Sequence, residues 1–139
     1  MSGGIAPIGA KTNVTSSQQI QGENLNYVYL KAKFSEFPSN FSRVIVSVET
    51  HDQGWASVPG SESYFDLKIV DKNGTLLAEK SRIIENYSEK QFSKKTYTLN
   101  RNDQQLGSFM VGENMLQLIA RSQYPGWQNH VKSGEIKFE

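Results

Sequence analysis

Apolar and polar residues alternate along most of the chain. Over residues 27–34, Val28, Leu30, Ala32 and Phe34 share one parity, and Tyr27, Tyr29, Lys31 and Lys33 the other. Over 43–50, Val44, Val46 and Val48 alternate with Ile45, Ser47 and Glu49. A period of two carried by β-branched and aromatic residues predicts strands that bury one face. The pattern returns over 64–70 (Phe65, Leu67, Ile69), 115–121 (Leu116, Leu118, Ala120) and 133–139 (Ile136, Phe138), and a further strand is expected over 91–99 (Phe92, Tyr97, Leu99). A Thr/Ser-rich strand is expected over 13–20 and a short apolar piece over 108–111. Asp71-Lys72-Asn73-Gly74 predicts a hairpin, because Asn-Gly tolerates the positive φ angles of a two-residue turn. The strand that returns from it, 75–85, loses alternation at Ser81-Arg82-Ile83-Ile84, where a bulge or a division into two strands is expected.

No stretch of ten or more residues has helical apolar spacing. About eight short strands joined by turns predict an all-β chain, a single antiparallel β-sandwich of jelly-roll type. Its expected core is Val28, Leu30, Val44, Val46, Val48, Phe65, Leu67, Ile69, Leu116, Leu118 and Ile136, in one domain over residues 13–139 preceded by a flexible arm, 1–12.

Strand parity then bears on function. Both tryptophans and both histidines fall in two loops, His51-Asp52-Gln53-Gly54-Trp55 and Arg121 to His130, and each loop follows an alternating run. Successive strands of a jelly roll run in opposite directions, so loops after the third and seventh strands share an end of the sandwich. Val44, Val46, Val48, Gly54 and Trp55 also recur 72 positions later as Leu116, Leu118, Ala120, Gly126 and Trp127. That echo suits the two Greek keys of a jelly roll.

Composition narrows the partners. With 15 basic and 14 acidic residues the formal charge is +1, whereas phosphate-binding surfaces show a basic excess; no nucleic-acid or membrane partner is expected. The absence of cysteine removes disulfides, thiolate metal sites and thiol nucleophiles. The start of the chain lacks the basic and apolar regions of a signal peptide, so a cytoplasmic location is expected. Asn13, Asn40, Asn73 and Asn86 head glycosylation sequons that would mark surface loops in a secreted protein.

His51-Asp52-Gln53-Gly54-Trp55, followed by Ala120-Arg121-Ser122-Gln123-Tyr124-Pro125-Gly126-Trp127, resembles a sparsely characterised group of fungal and protist β-sandwich proteins. The group has an H-D-Q-G-W stretch and a later A-R-x-x-(aromatic)-P-G-W stretch. The resemblance runs from about Tyr27 to Glu139 and implies a galactose-binding-like strand pattern; it implies no activity.

Trp and Tyr offer flat apolar faces beside the donors and acceptors of His, Asp, Gln, Asn and Arg, a combination suited to a sugar ring. The expected site is therefore a lectin-like carbohydrate or small polar-ligand site. Trp55, Tyr124 and Trp127 would supply the aromatic faces, with His51, Asp52, Gln53, Arg121, Gln123, Asn129 and His130 around them. In the other reading the tryptophans plug the open sandwich end, Asp52 pairs with Arg121, and the chain is a structural protein that assembles into homo-oligomers, with the Gly-rich arm and the Thr/Ser-rich residues 13–19 that follow it donating a strand to a neighbour's sheet. Catalysis is not expected: adjacent His51 and Asp52 point different ways on a strand, and no Gly-x-Ser-x-Gly elbow occurs. No cofactor is required, although calcium could find oxygen ligands at Asp52, Glu62 or Asp66.

Overall fold

The structure, a computed structural model, describes residues 12–54, 63–87, 90–122 and 128–139. The alternating runs form strands β1 (Asn13–Ser16), β2 (Ile20–Glu23), β3 (Asn26–Lys33), β4 (Arg43–Asp52), β5 (Ser63–Val70), β6 (Leu76–Glu85), β7 (Ser93–Asn100), β8 (Met115–Ser122) and β9 (Gln128–Phe138). They build two antiparallel sheets, one ordered β1-β9-β4-β7 with β2 also on β9, the other β3-β8-β5-β6. Both β1 and β2 pair with β9, at opposite ends of it, so together they are one interrupted edge strand. Counted that way the strand orders are 1-8-3-6 and 2-7-4-5, which is the eight-stranded jelly roll expected from the sequence. β4 and β8 hold equivalent places, each third along its sheet when one counts from β1 and from β6. The 72-residue echo thus falls on strands related by the fold's own pseudo-symmetry.

The inward parity of β4, β5, β8 and β9 fills the core: Val44, Val46, Phe65, Leu67, Ile69, Leu116, Leu118 and Ile136 have no exposed surface. Burying a side chain of this size stabilises by roughly 1.5–3 kcal/mol. Phe34, Phe37, Phe41 and Phe138 close the end of the sandwich remote from the two tryptophan loops, with Phe37 stacked on Phe138 at 4.0 Å and Phe41 edge-on to it at 5.1 Å.

Several expectations need correction. Val28 is not in the core but 39% exposed, and Tyr29 is buried in its place. The reason is a bulge: Val28 faces Ile119 and Leu30 faces Leu118, so Tyr29 is an extra residue and parity reverses there. The hairpin after β5 is not a two-residue turn with two positive φ angles. Only Gly74 takes one, at +86°, and the Asp71 carboxylate holds the turn by accepting Asn73 N–H at 2.8 Å and Thr75 N–H at 2.9 Å. The short apolar piece at 108–111, for which no strand was expected, begins in a single 3-10 turn, Gly107–Phe109. β9 begins five residues before its expected start because Gln128, Asn129 and His130 continue its ladder. The bulge expected at 81–84 is present: Phe65 faces Ile84 while Leu67 faces Lys80, and Arg82 sits there at φ +56°.

Of the arm, only Thr12 is described; its carbonyl accepts Phe138 N–H at 2.7 Å. Residues 13–16, expected as a strand donor to a neighbour, pair with β9 of their own chain. Among the described residues no helix is long and apolar enough to cross a membrane.

Candidate functional site

At the end where β4 finishes and β9 begins, the inward parity changes from apolar to polar. Thr50, Asp52, Ser63, Ser122 and Asn129, with Asn86 beyond β6, are all at most 2% exposed. Their partners form one layer across both sheets. Asn129 Nδ2 donates to the carbonyls of Tyr64 (3.2 Å) and Arg121 (3.1 Å), and its Oδ1 accepts from Thr50 Oγ1 at 2.9 Å. Asn86 Nδ2 donates to Ser63 Oγ at 2.8 Å, and Asn86 N–H to Ser63 O at 3.0 Å. Ser122 Oγ accepts Leu25 N–H at 2.8 Å and donates to Gly22 O at 3.0 Å. Loop backbone that enters a sandwich leaves polar groups without ladder partners, and a buried group of that kind is costly unless paired. This layer pairs with backbone at the strand ends, the carbonyls of Gly22, Ser63, Tyr64 and Arg121 and the N–H of Leu25, while Asn86 Oδ1 within it has no partner among the described residues. Asn86 is therefore a structural residue rather than a glycosylation acceptor in the folded chain.

Above the layer the described flanks of the two tryptophan loops, 51–54 and 128–130, lie side by side, as strand parity predicts. His51 pairs with His130, and Asp52 with Asn129, across β4 and β9. Gln53 Oε1 accepts Gln128 N–H at 2.8 Å. The imidazoles of His51 and His130 stack with centroids 4.3 Å apart, and Phe92 lies edge-on to His51 at 4.5 Å. His130 Nε2 donates to Gln128 Oε1 at 2.8 Å. These four side chains, His51, Gln53, Gln128 and His130, form a rim from parts of the chain more than 70 positions apart.

The ten expected site residues thus divide. His51, Gln53 and His130 reach the rim. Asp52 and Asn129 belong to the buried layer; Asp52 accepts Gly54 N–H at 2.7 Å, fixing the start of its loop. Arg121 does not pair with Asp52. It lies on the outer side of the four-stranded sheet, donates to Asp66 Oδ2 at 3.1 Å and sits over Tyr64. Trp55, Gln123, Tyr124 and Trp127 fall outside the described residues, as does Glu62. Asp66 accepts from Arg121 and from Arg82 N–H, and among the described residues no group of three His, Asp or Glu side chains could hold a metal ion. Phe92, Gln128, Thr50, Ser63 and Asn86 escaped sequence reading. Parity was an available signal for Thr50, which continues the inward series Val44, Val46, Val48.

Burial is the main cause that holds the His130 pKa below its ordinary 6.5, and the neighbouring His51 acts in the same direction, against an opposing pull from Asp52. A histidine with a depressed folded pKa takes up protons more readily when unfolded, so stability rises with pH between the two values. Resistance to urea unfolding is therefore expected to fall as pH drops below about 6.5. That slope should diminish in His130→Gln; an unchanged slope would remove His130 as its source.

No family model and no curated protein matches the chain. Among solved structures, one that is similar is a Stig cyclase, Fisc, from Fischerella sp. TAU, in complex with (3Z)-3-(1-methyl-2-pyrrolidinylidene)-3H-indole: 14% identity over 91% of this chain and 55% of that one, TM-score 0.41. Another is the insecticidal delta-endotoxin Cry8Ea1 from Bacillus thuringiensis, with 12% identity over 91% of this chain and 19% of the toxin, TM-score 0.34. The chain thus spans about half of the first protein and a fifth of the second; its two-sheet all-β architecture rests on its own strand pairing.

Proposed function

We propose that this chain is a non-catalytic, lectin-like carbohydrate-binding module whose ligand is held where the loops after β4 and β8 meet. The observation that carries the reading is the junction between the end of β4 and the start of β9, which flank those loops: Gln128 N–H on Gln53 Oε1 beside the stacked imidazoles of His51 and His130. Flat rings next to amide and imidazole groups match a sugar, whose apolar ring face is framed by hydroxyls. The buried polar layer below fixes the rim, which lowers the ordering cost of binding. In this reading Trp55 and Trp127 supply the stacking faces.

A glycan array with wild type beside Trp55→Ala and Trp127→Ala tests it. The wild type is expected to bind a restricted set of glycans, and each variant to lose most of that signal while keeping its fold. A folded wild type that binds no glycan would remove the proposal.

A further inference from the structure

Away from the loop end, the edge of the five-stranded sheet is interrupted. β1 leaves β9 after Ser16 and β2 rejoins it at Ile20. β9 carries an extra residue at the same level, Lys132, between Val131 opposite Thr50 and Ser133 opposite Glu49. The gap is held from inside the sandwich by Tyr29, the bulged residue of β3. Its ring lies against Gly134, where a Cβ would come within 2.9 Å of Tyr29 Cε2. Its hydroxyl donates to Gln18 O at 2.7 Å. A buried tyrosine that directs its one donor at the interruption makes the gap a fixed part of the fold.

The gap opens on the outer face as a groove of about 310 Å³, floored by Gly134 and walled by Ser17, Ser47, Glu49, Lys94 and Glu135. That is the lower end of the roughly 300–1,000 Å³ typical of small-ligand sites. The wall is chemically oriented. Ser133 Oγ donates to Glu49 at 3.2 Å, and Asn13 Nδ2 to Glu135 at 2.8 Å. Lys94 lies opposite Glu49 in register, yet among the described residues its ammonium has no hydrogen-bond or ion-pair partner. Two carboxylates and one ammonium give the wall a formal charge of −1 (+1 − 2). A phosphate or sulfate would meet like charge, and an apolar ligand would leave all three charged groups desolvated. A neutral vicinal diol satisfies them, since a carboxylate accepts from adjacent hydroxyls and the ammonium donates to a third oxygen. Across the 17–19 segment lies a second depression, lined by Gln19, Gln21, Phe92 and His130. His130 and Ser133 are three residues apart on β9, about 10 Å at ~3.3 Å per residue.

We infer that an unbranched neutral oligosaccharide binds along the outer face of the five-stranded sheet, with an internal ring in the groove between Glu49, Lys94 and Glu135 and a neighbouring ring against Phe92 and His130. The inference rests on the carbohydrate reading above but moves the body of the ligand from the loops to the sheet.

Calorimetric titration with cellohexaose, xylohexaose and laminarihexaose, and with glucose and xylose, tests it. At least one hexasaccharide is expected to bind wild type more tightly than its monosaccharide. Ser47→Tyr, which fills the groove from an outward strand position, should weaken that binding about tenfold or more, and Lys94→Gln several-fold. The circular dichroism and Tm of both variants should match wild type. Hexasaccharide binding that survives Ser47→Tyr but is lost in Trp127→Ala overturns the groove and leaves the loop-end module standing. A positive glycan array without binding of any hexasaccharide does the same, whereas failure of both array and titration overturns both.

Discussion

Asn129→Ala is expected to lower the unfolding free energy by about 4 kcal/mol. Asn129 has no exposed surface, and its side chain serves both sheets at once: it donates to the carbonyls of Tyr64 and Arg121 and accepts from Thr50 and Asn86. Truncation leaves two backbone carbonyls buried without their side-chain donor, at roughly 1–3 kcal/mol for each group unsatisfied, and opens a small void. Thr50 loses least, because its hydroxyl can turn wholly to His130 O at 2.8 Å. A loss of 4 kcal/mol corresponds to a fall in Tm of roughly 12–20 °C for a domain of this size. Asn129→Asp should be nearly as damaging, since it points a carboxylate at the two carbonyls that the amide now serves. Urea unfolding should show a lower midpoint with unchanged slope. A loss below 1 kcal/mol would mean that water enters the layer and replaces the amide, and the rim above would then not be rigidly held.

That layer also shows how far the sequence could be read. Period-two alternation placed the strands that carry the core and ten of the eleven expected core residues, because a sheet with one buried face imposes that pattern directly on the chain; the strands over 13–20, 75–85 and 91–99 were placed by composition and by the turns beside them. Strand parity placed the flanks of the two tryptophan loops at one end for the same reason. Parity carried further marks Thr50 and Asp52 as inward, since they extend the series Val44, Val46, Val48; residue chemistry alone made Asp52 a candidate ligand group, and its burial is the outcome that parity implies. Val28 and Tyr29 exchanged places because a bulge costs one residue and leaves no apolar or turn signature in Tyr27-Val28-Tyr29-Leu30. The partnership of Asp66 with Arg121 was illegible for a different reason. Asp66 stands 55 positions from Arg121, and only the pairing of β5 with β8 brings them together.

For that pair, Asp66→Ala is expected to cost about 3 kcal/mol. The Asp66 side chain is 3% exposed and that of Arg121 27%, so removing the carboxylate leaves a guanidinium largely out of water whose Nε already has no partner. Breaking a buried pair from one side typically costs 3–5 kcal/mol, and the partial exposure of Arg121, which can turn toward solvent, puts the expectation at the low end. The carboxylate has a second task. Its Oδ1 accepts Arg82 N–H at 2.8 Å, where the β6 bulge holds Arg82 in the left-handed region at φ +56°, a conformation that a non-glycine residue keeps only when its surroundings fix it. The two tasks separate in a double-mutant cycle measured by urea unfolding. If the ion pair dominates, Asp66→Leu combined with Arg121→Met should recover most of the loss, because a buried pair exchanged for apolar side chains is often neutral. If the bulge anchor dominates, the double variant should stay as unstable as Asp66→Ala, and Arg121→Met alone should cost little. Recovery to within about 1 kcal/mol of wild type is the expected result, which would make Arg121 a tie between β5 and the end of β8 rather than a ligand-binding group.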